Sequence, residues 1–201
     1  MKVLIDGENL RHQIAHVLHN KSMLQDWNEY FKFDTVSFLQ DVLQLKDLDI
    51  MYYTTRVKQP KQKIPLKLKN KIETISASNR KWISDLSNQK IKIVKAGYLS
   101  VRESSTCIHC GKRTLNLQEK GVDVRVATDI LTAAHGKEEK IVLVSSDSDL
   151  VPALAAGQSL GLKITYVCYS GWLNRSVAAQ AYKTLTFDDG LVLKHYKETG
   201  K

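Results

Sequence analysis

Residues 141–154, IVLVSSDSDLVPAL, run from four apolar side chains into a small polar turn carrying Asp147 and Asp149, then into a second apolar stretch. A continuous apolar run bounded by a turn signal predicts a strand buried on both faces of a parallel sheet. Leu150, Leu154 and the small residues between them have helical spacing, so a helix is expected directly after the turn. In open α/β sheets, sites are built at the carboxyl ends of strands, and two carboxylates there point to one. A purely structural reading competes: Ser146 or Asp147 caps the helix, and Asp149 complements its positive end.

The same arrangement recurs. Lys2, Val3, Leu4 and Ile5 form a short apolar strand ending in Asp6-Gly7-Glu8-Asn9, after which Leu10, Ile14, Val17 and Leu18 fall at helical spacing. In residues 120–131, KGVDVRVATDIL, Val122, Val126 and Ile130 share one helical face, with Asp123 near the start of the helix. Three segments thus each offer a carboxylate at a strand end or helix start. That is how a site for hard divalent cations is assembled, since magnesium and manganese prefer carboxylate oxygen.

With IDGENL first, EKGVDVRVATDIL next and VLVSSDSDLVPAL last, the chain resembles a NYN domain, a branch of the PIN-like nuclease superfamily. The resemblance covers residues 1–187 and is weakest between residues 27 and 88. Together with the strand and helix pattern it implies an α/β fold of three layers, α/β/α, around a mainly parallel sheet. It further implies Mg²⁺ or Mn²⁺ held at Asp6, Asp123, Asp147 and Asp149. Asn9 would orient a carboxylate or contact a phosphate, and the substrate would be RNA, cut by hydrolysis of phosphodiester bonds. The residues themselves imply only a phosphodiester. Glu119 and Asp129 are candidate outer acids; Asp129, six residues after Asp123, does not share its helical face and is the weaker of the two.

A length of 201 residues suits one domain with an insertion, and a hydrophobic fraction of 43% is that of an ordinary soluble protein. No apolar run reaches membrane-spanning length, and a core strand beginning at residue 2 leaves no room for a signal peptide. Three cysteines do not suggest a disulfide framework. A cytoplasmic location and no membrane partner are therefore expected. The net charge of +9 points to a polyanionic partner.

That charge is concentrated. Between residues 56 and 95 twelve Lys or Arg face only Glu73 and Asp85, so the rest of the chain is close to neutral. Within RVKQPKQKIPLKLKNK, Lys61, Lys63, Lys67 and Lys69 are the candidates for phosphate contact; the plainer reading is a solvated basic loop. A helix is expected from about residue 68, burying Ile72, Ile75, Trp82, Ile83 and Leu86.

Elsewhere the pattern predicts a helix over 31–45 capped by Asp34 and strands at 49–55, 91–96 and 163–167. A loop with a short helix at 171–181 and a last strand at 184–187 follow, then a C-terminal tail from 188 to 201 that reads as a short helix and a frayed end. Arg175, beyond a strand end, either meets a phosphate or lies on the surface. His12, His16 and His19 share helical spacing, and a solvent-facing helix side is expected for them. Residues 97–119 read as a β-hairpin insertion whose tip carries Cys107-Ile108-His109-Cys110. Such a CxxC is half of a structural Zn²⁺ site, with no second CxxC to complete it; His109, Cys168 or a second subunit in a homodimer are the remaining sources, and an unmetallated turn competes. The domain is thus expected at 1–187, with a basic insertion at about 56–70.

Other functions compete as well. A NYN module that binds RNA without cutting it would not need acids at every motif position. A Toprim-like phosphotransfer domain leaves Asn9 and the KGVDV helix unexplained. A haloacid-dehalogenase-type phosphatase would need D-x-D after the first strand, where this chain has Asp-Gly-Glu.

Overall fold

The computed structural model describes residues 1–27, 29–57, 64–103, 110–111, 113 and 115–197. In chain order the elements are β1 (Lys2–Asp6), α1 (Gly7–Asn20), β2 (Lys32–Phe33), α2 (Thr35–Leu43), β3 (Asp49–Val57), α3 (Leu66–Asn88), β4 (Lys92–Glu103) and β5 (Leu115–Lys120). They continue with α4 (Val122–His135), β6 (Lys140–Val144), α5 (Val151–Ser159), β7 (Lys163–Tyr169), α6 (Arg175–Gln180), β8 (Lys183–Phe187), α7 (Asp189–His195) and β9 (Tyr196–Lys197).

Among the described residues one sheet runs in the order β5-β4-β3-β1-β6-β7-β8. All neighbours pair in parallel except β4 and β5, which are antiparallel. The two most apolar strands, β1 and β6, lie side by side at the centre with Ile5 opposite Val144. Val3, Leu4, Ile5, Ile141, Leu143 and Val144 are all sealed from solvent, as strands covered on both faces require.

Two cores lie on opposite faces of the sheet. Val3, Ile5, Tyr52 and Val144 pack under Leu10 and Ile14 of α1, Phe38 of α2, Trp82 of α3 and Val192 of α7. Leu4, Leu143 and Tyr166 pack under Val126 and Ile130 of α4, Leu154 of α5 and Val177 of α6. The result is the expected α/β/α layering. From β1 the connections lead outward to β3 and β4 on one side and, after the return to β6, to β7 and β8 on the other. The strand order reverses between β1 and β6, so a crevice opens at their carboxyl ends.

Two expectations change. The helix predicted over 31–45 begins only at Thr35: Phe31 and Phe33 enter the core, and Asp34 stands at the cap, its carboxylate accepting from the Ser37 amide at 3.1 Å. The preceding pair Lys32–Phe33 is extended and zips antiparallel onto Tyr196–Lys197. α7 is anchored as well, through fully buried Val192 and through His195, whose ring lies 2.8 Å from Asp41. The long helix starts near its expected place, with Ile72, Trp82 and Leu86 buried, and Trp82 Nε1 donates to the Tyr52 hydroxyl at 2.8 Å.

Residues 97–103 and 115–120 form the expected extended pair, Tyr98 opposite Lys120 and Glu103 opposite Leu115. The hairpin tip with Cys107 and His109, and also Lys61 and Lys63, lie outside the described residues, as does the side chain of Lys67. Cys110 is exposed and Cys168 buried. No described helix is long and apolar enough to cross a membrane.

Gly7 opens α1 where the chain leaves β1, and a Cβ there would stand 2.4 Å from the Tyr53 carbonyl oxygen and 2.4 Å from the Tyr52 ring. Backbone cannot yield as a flexible side chain does. Gly7→Ala is expected to lower stability by about 1–3 kcal/mol despite the better helix propensity of alanine, read as a lower midpoint in urea unfolding followed by circular dichroism.

Candidate metal centre

β1 ends at Asp6, which is also the cap of α1: its Oδ1 accepts from the Asn9 amide at 3.2 Å. This satisfies a free helix N–H and fixes the carboxylate at the strand end. β6 ends at Val144 and is followed by Ser145, fully buried, and by Asp147, whose carboxylate caps the next turn by accepting from the Asp149 amide at 2.9 Å. Asp123 is the second residue of α4, which starts after Gly121 at φ +95°, a left-handed turn that suits glycine.

One carboxylate oxygen from each of Asp6, Asp123 and Asp147 lies within 4.8 Å of the other two. Such an all-oxygen group could hold a divalent cation. Among the described residues no lysine or arginine pairs with any of the three. Burial pushes Asp6 up to about 6, and the charges of Asp123 and Asp147 add to this against the opposing Asn9 and Ser145 hydrogen bonds. Asp123 is raised too, by burial and then by Asp147 and Asp149.

Ser145 carries the clamp. Its Oγ donates to Asp6 Oδ2 at 3.1 Å and accepts from the Asp147 amide at 3.2 Å, so its single proton is committed to Asp6. Asn9 ties the same two turns together, its Oδ1 accepting from the Ser146 amide at 3.0 Å and from Gln13 Nε2. Gln13 then reaches the end of β7, accepting from the Tyr169 amide at 2.6 Å. Asn174 closes the network by donating to the Ser146 carbonyl at 3.0 Å while its Oδ1 caps α6.

A cleft of about 280 Å³ opens above Asp6 and Asp123, lined also by Glu8, Asn9, His12, Glu119 and Trp172. Glu119, on β5 next to the α4 turn, is pushed up to about 8 by burial and then by Glu8, Asp6 and Asp123. Larger hollows of about 430 and 590 Å³ lie where the strands begin, with linings of mixed sign that include Lys2, Asp49 and Glu138.

The sequence candidates therefore fall in different places. Asp6, Asp123 and Asp147 come together; Asp149 is exposed and outside their close group, acting on Asp123 through its charge. Asp129 turns away, accepting from the Tyr53 hydroxyl at 2.7 Å and from Arg125 Nε at 3.0 Å beside the opposite hollow. Arg175 is exposed with no ion pair among the described residues, and Lys69 is exposed 4.0 Å from Glu73. Of His12, His16 and His19, His12 alone is exposed; His16 and His19 pack on Trp27 at 5.5 and 5.2 Å between ring centroids. Glu8, Ser145, Gln13 and Trp172 escaped the sequence reading. Glu8 stands inside the DGEN turn and was open to it; the others have no local signal, because their partners come from distant strands.

A sequence model of the NYN domain matches residues 1–187, and the chain belongs to that family, which lies within the PIN-like nuclease superfamily. No curated protein matches. Among solved structures, a protein of unknown function from Vibrio parahaemolyticus superposes with a TM-score of 0.60 at 14% identity, over 98% of this chain and 94% of that one. The likeness is one of fold.

Both Asp6 and Glu119 bind their protons more tightly in the folded protein than at their ordinary values of 3.8 and 4.5. The native state then holds more protons than the unfolded chain, so stability falls as pH rises. In EDTA the loss is expected from about pH 4 to 6 for Asp6 and from about 4.5 to 8 for Glu119. Urea unfolding across that range should show the slope, with Asp6→Asn flattening its lower part, Glu119→Gln its upper part, and added Mn²⁺ restoring stability at the high end.

Proposed function

We propose that this chain is a metal-dependent endoribonuclease that hydrolyses RNA phosphodiester bonds with Mg²⁺ or Mn²⁺ held by Asp6, Asp123 and Asp147. The observation that carries the reading is the convergence of three carboxylates within 4.8 Å, with no lysine or arginine paired to them among the described residues. Their donor chemistry, carboxylate oxygen from three elements, fits these hard ions. When bound, such an ion lowers the pKa of a coordinated water and offsets the charge that builds on a phosphodiester in the transition state.

The chain's own residues do the rest. Asp6 is held in place by Asn9 and Ser145, and Asp147 by the Asp149 amide and Ser145, so neither carboxylate must reorganise when substrate arrives. Asp149 adds negative charge beside Asp123 and is assigned to the outer part of the site. Glu119 lines the same cleft, pushed up to about 8 by burial and then by Glu8, Asp6 and Asp123, and is assigned like Asp149 to the outer part of the site. Arg175 and the basic segment with Lys61, Lys63, Lys67 and Lys69 supply attraction for the phosphate backbone. RNA rather than DNA is assigned from the family. A module that binds RNA without cutting it is the second reading, and the intact acid triad favours the first.

Labelled RNA incubated with Mn²⁺, Mg²⁺ or EDTA tests this, with DNA in parallel. Metal-dependent cleavage of RNA is expected, reduced to background in Asp147→Asn. Ser145→Ala should lower the rate by about 10–100-fold, as loss of a group that orients a metal ligand does. Cutting that survives Asp147→Asn would place the chemistry elsewhere, and salt-sensitive binding without cutting under any metal would favour the binding module.

A further inference from the structure

The cleft above the acids has one wall unlike the others. Asp6, Glu8, Asn9, His12, Glu119 and Asp123 are polar or charged, whereas Trp172 presents a half-buried indole. Trp172 ends the short turn Ser170–Trp172 that follows directly on the carboxyl end of β7. Its ring is backed by His16, 4.9 Å between centroids at 46°, and by Tyr169 at 6.4 Å in an edge arrangement. His16 is braced in turn by Trp27 at 5.5 Å, and Tyr169 by a 2.6 Å hydrogen bond from its hydroxyl to Asp189. The indole is thus held as a rigid surface at the edge of an acidic cleft.

We propose that Trp172 is the stacking platform for an unpaired nucleobase, and that the protein therefore takes single-stranded RNA. The proposal rests on the reading of the acid cluster as a phosphodiester site. A substrate whose phosphate enters that cleft brings a planar base beside the phosphate, and an indole is the surface on which any base stacks without regard to sequence. In a duplex both faces of each base are already covered, so the platform selects for unpaired segments. Arg175, three residues beyond Trp172, is exposed without an ion pair among the described residues and adds positive charge near the platform in the chain.

Binding of a short oligouridylate in Ca²⁺, which takes oxygen ligands as Mg²⁺ does, tests the platform without requiring cleavage. Trp172→Ala is expected to weaken it by roughly five- to a hundredfold, the range of one aromatic–base stack, with Trp172→Phe recovering most of the loss and a duplex of equal length indifferent to both. Intrinsic fluorescence should be quenched by the oligonucleotide in the native protein and in Trp27→Phe, and the quenching lost in Trp172→Phe. If Trp172→Ala does not fold, an oligonucleotide bearing abasic positions replaces it: the native protein must bind it more weakly than the intact one. Equal affinity in the native protein and Trp172→Ala, unchanged quenching in Trp172→Phe, or indifference to abasic positions would overturn the proposal. Metal-dependent cutting with any of those results would leave the nuclease reading standing, whereas Trp172-dependent binding with no cutting under any metal would leave the platform and remove the nuclease.

Discussion

Three carboxylates gathered within 4.8 Å repel one another, and the fold must hold them there before any cation does. The hydroxyl of Ser145 is where that force is resisted. It faces Asp6 with its proton and the Asp147 amide with its lone pair, coupling the ends of two neighbouring strands through one atom that solvent does not reach. The bridge works because β1 and β6 are adjacent, parallel and in fixed register, so their carboxyl ends stop at the same level. Sealed apolar residues on both faces of each strand prevent slippage, since a shift by one residue would exchange the two cores. The polar site therefore inherits its precision from the apolar centre beneath it.

The third acid arrives by a different route. Asp123 stands on α4, whose Val126 and Ile130 are pressed onto the sheet face opposite α1. Its helix start is set by the left-handed turn at Gly121, directly after the antiparallel edge strand that carries Glu119. Glu119 and Asp123 thus approach the cleft together from the sheet edge, and the cleft gains its most strongly proton-holding group from a strand with little apolar content.

The central features could be read in the chain because they are local. The apolar runs before Asp6 and Asp147 and the single buried face of Val122, Val126 and Ile130 each lie within one element, and each predicts its own strand or helix. What escaped depends on contacts far apart in sequence. Phe33 has a helical neighbour but pairs with Tyr196, and Phe31 just before it enters the core. His16 and His19 look polar by type, yet Trp27 and Trp172 make them part of an aromatic stack. Asp129 shares a motif with Asp123 but is captured by Tyr53 and Arg125. Ser145 looks like one of several serines in a turn, and only the neighbouring strand distinguishes it.

The clamp between Asp6 and Ser145 spans 139 positions of chain. Synthesis proceeds from the N-terminus, so a growing chain exposes Asp6 first, Asp123 later and the Ser145–Asp147 turn last. Until β6 slots in beside β1, the first two acids have no partner turn to hold them and the crevice between the two halves of the sheet does not exist. A fragment that ends before residue 147 has the DGEN turn and the α4 acid but no third carboxylate. The acid cluster is accordingly absent until β6 has been made, and it forms only as that strand is laid down beside β1.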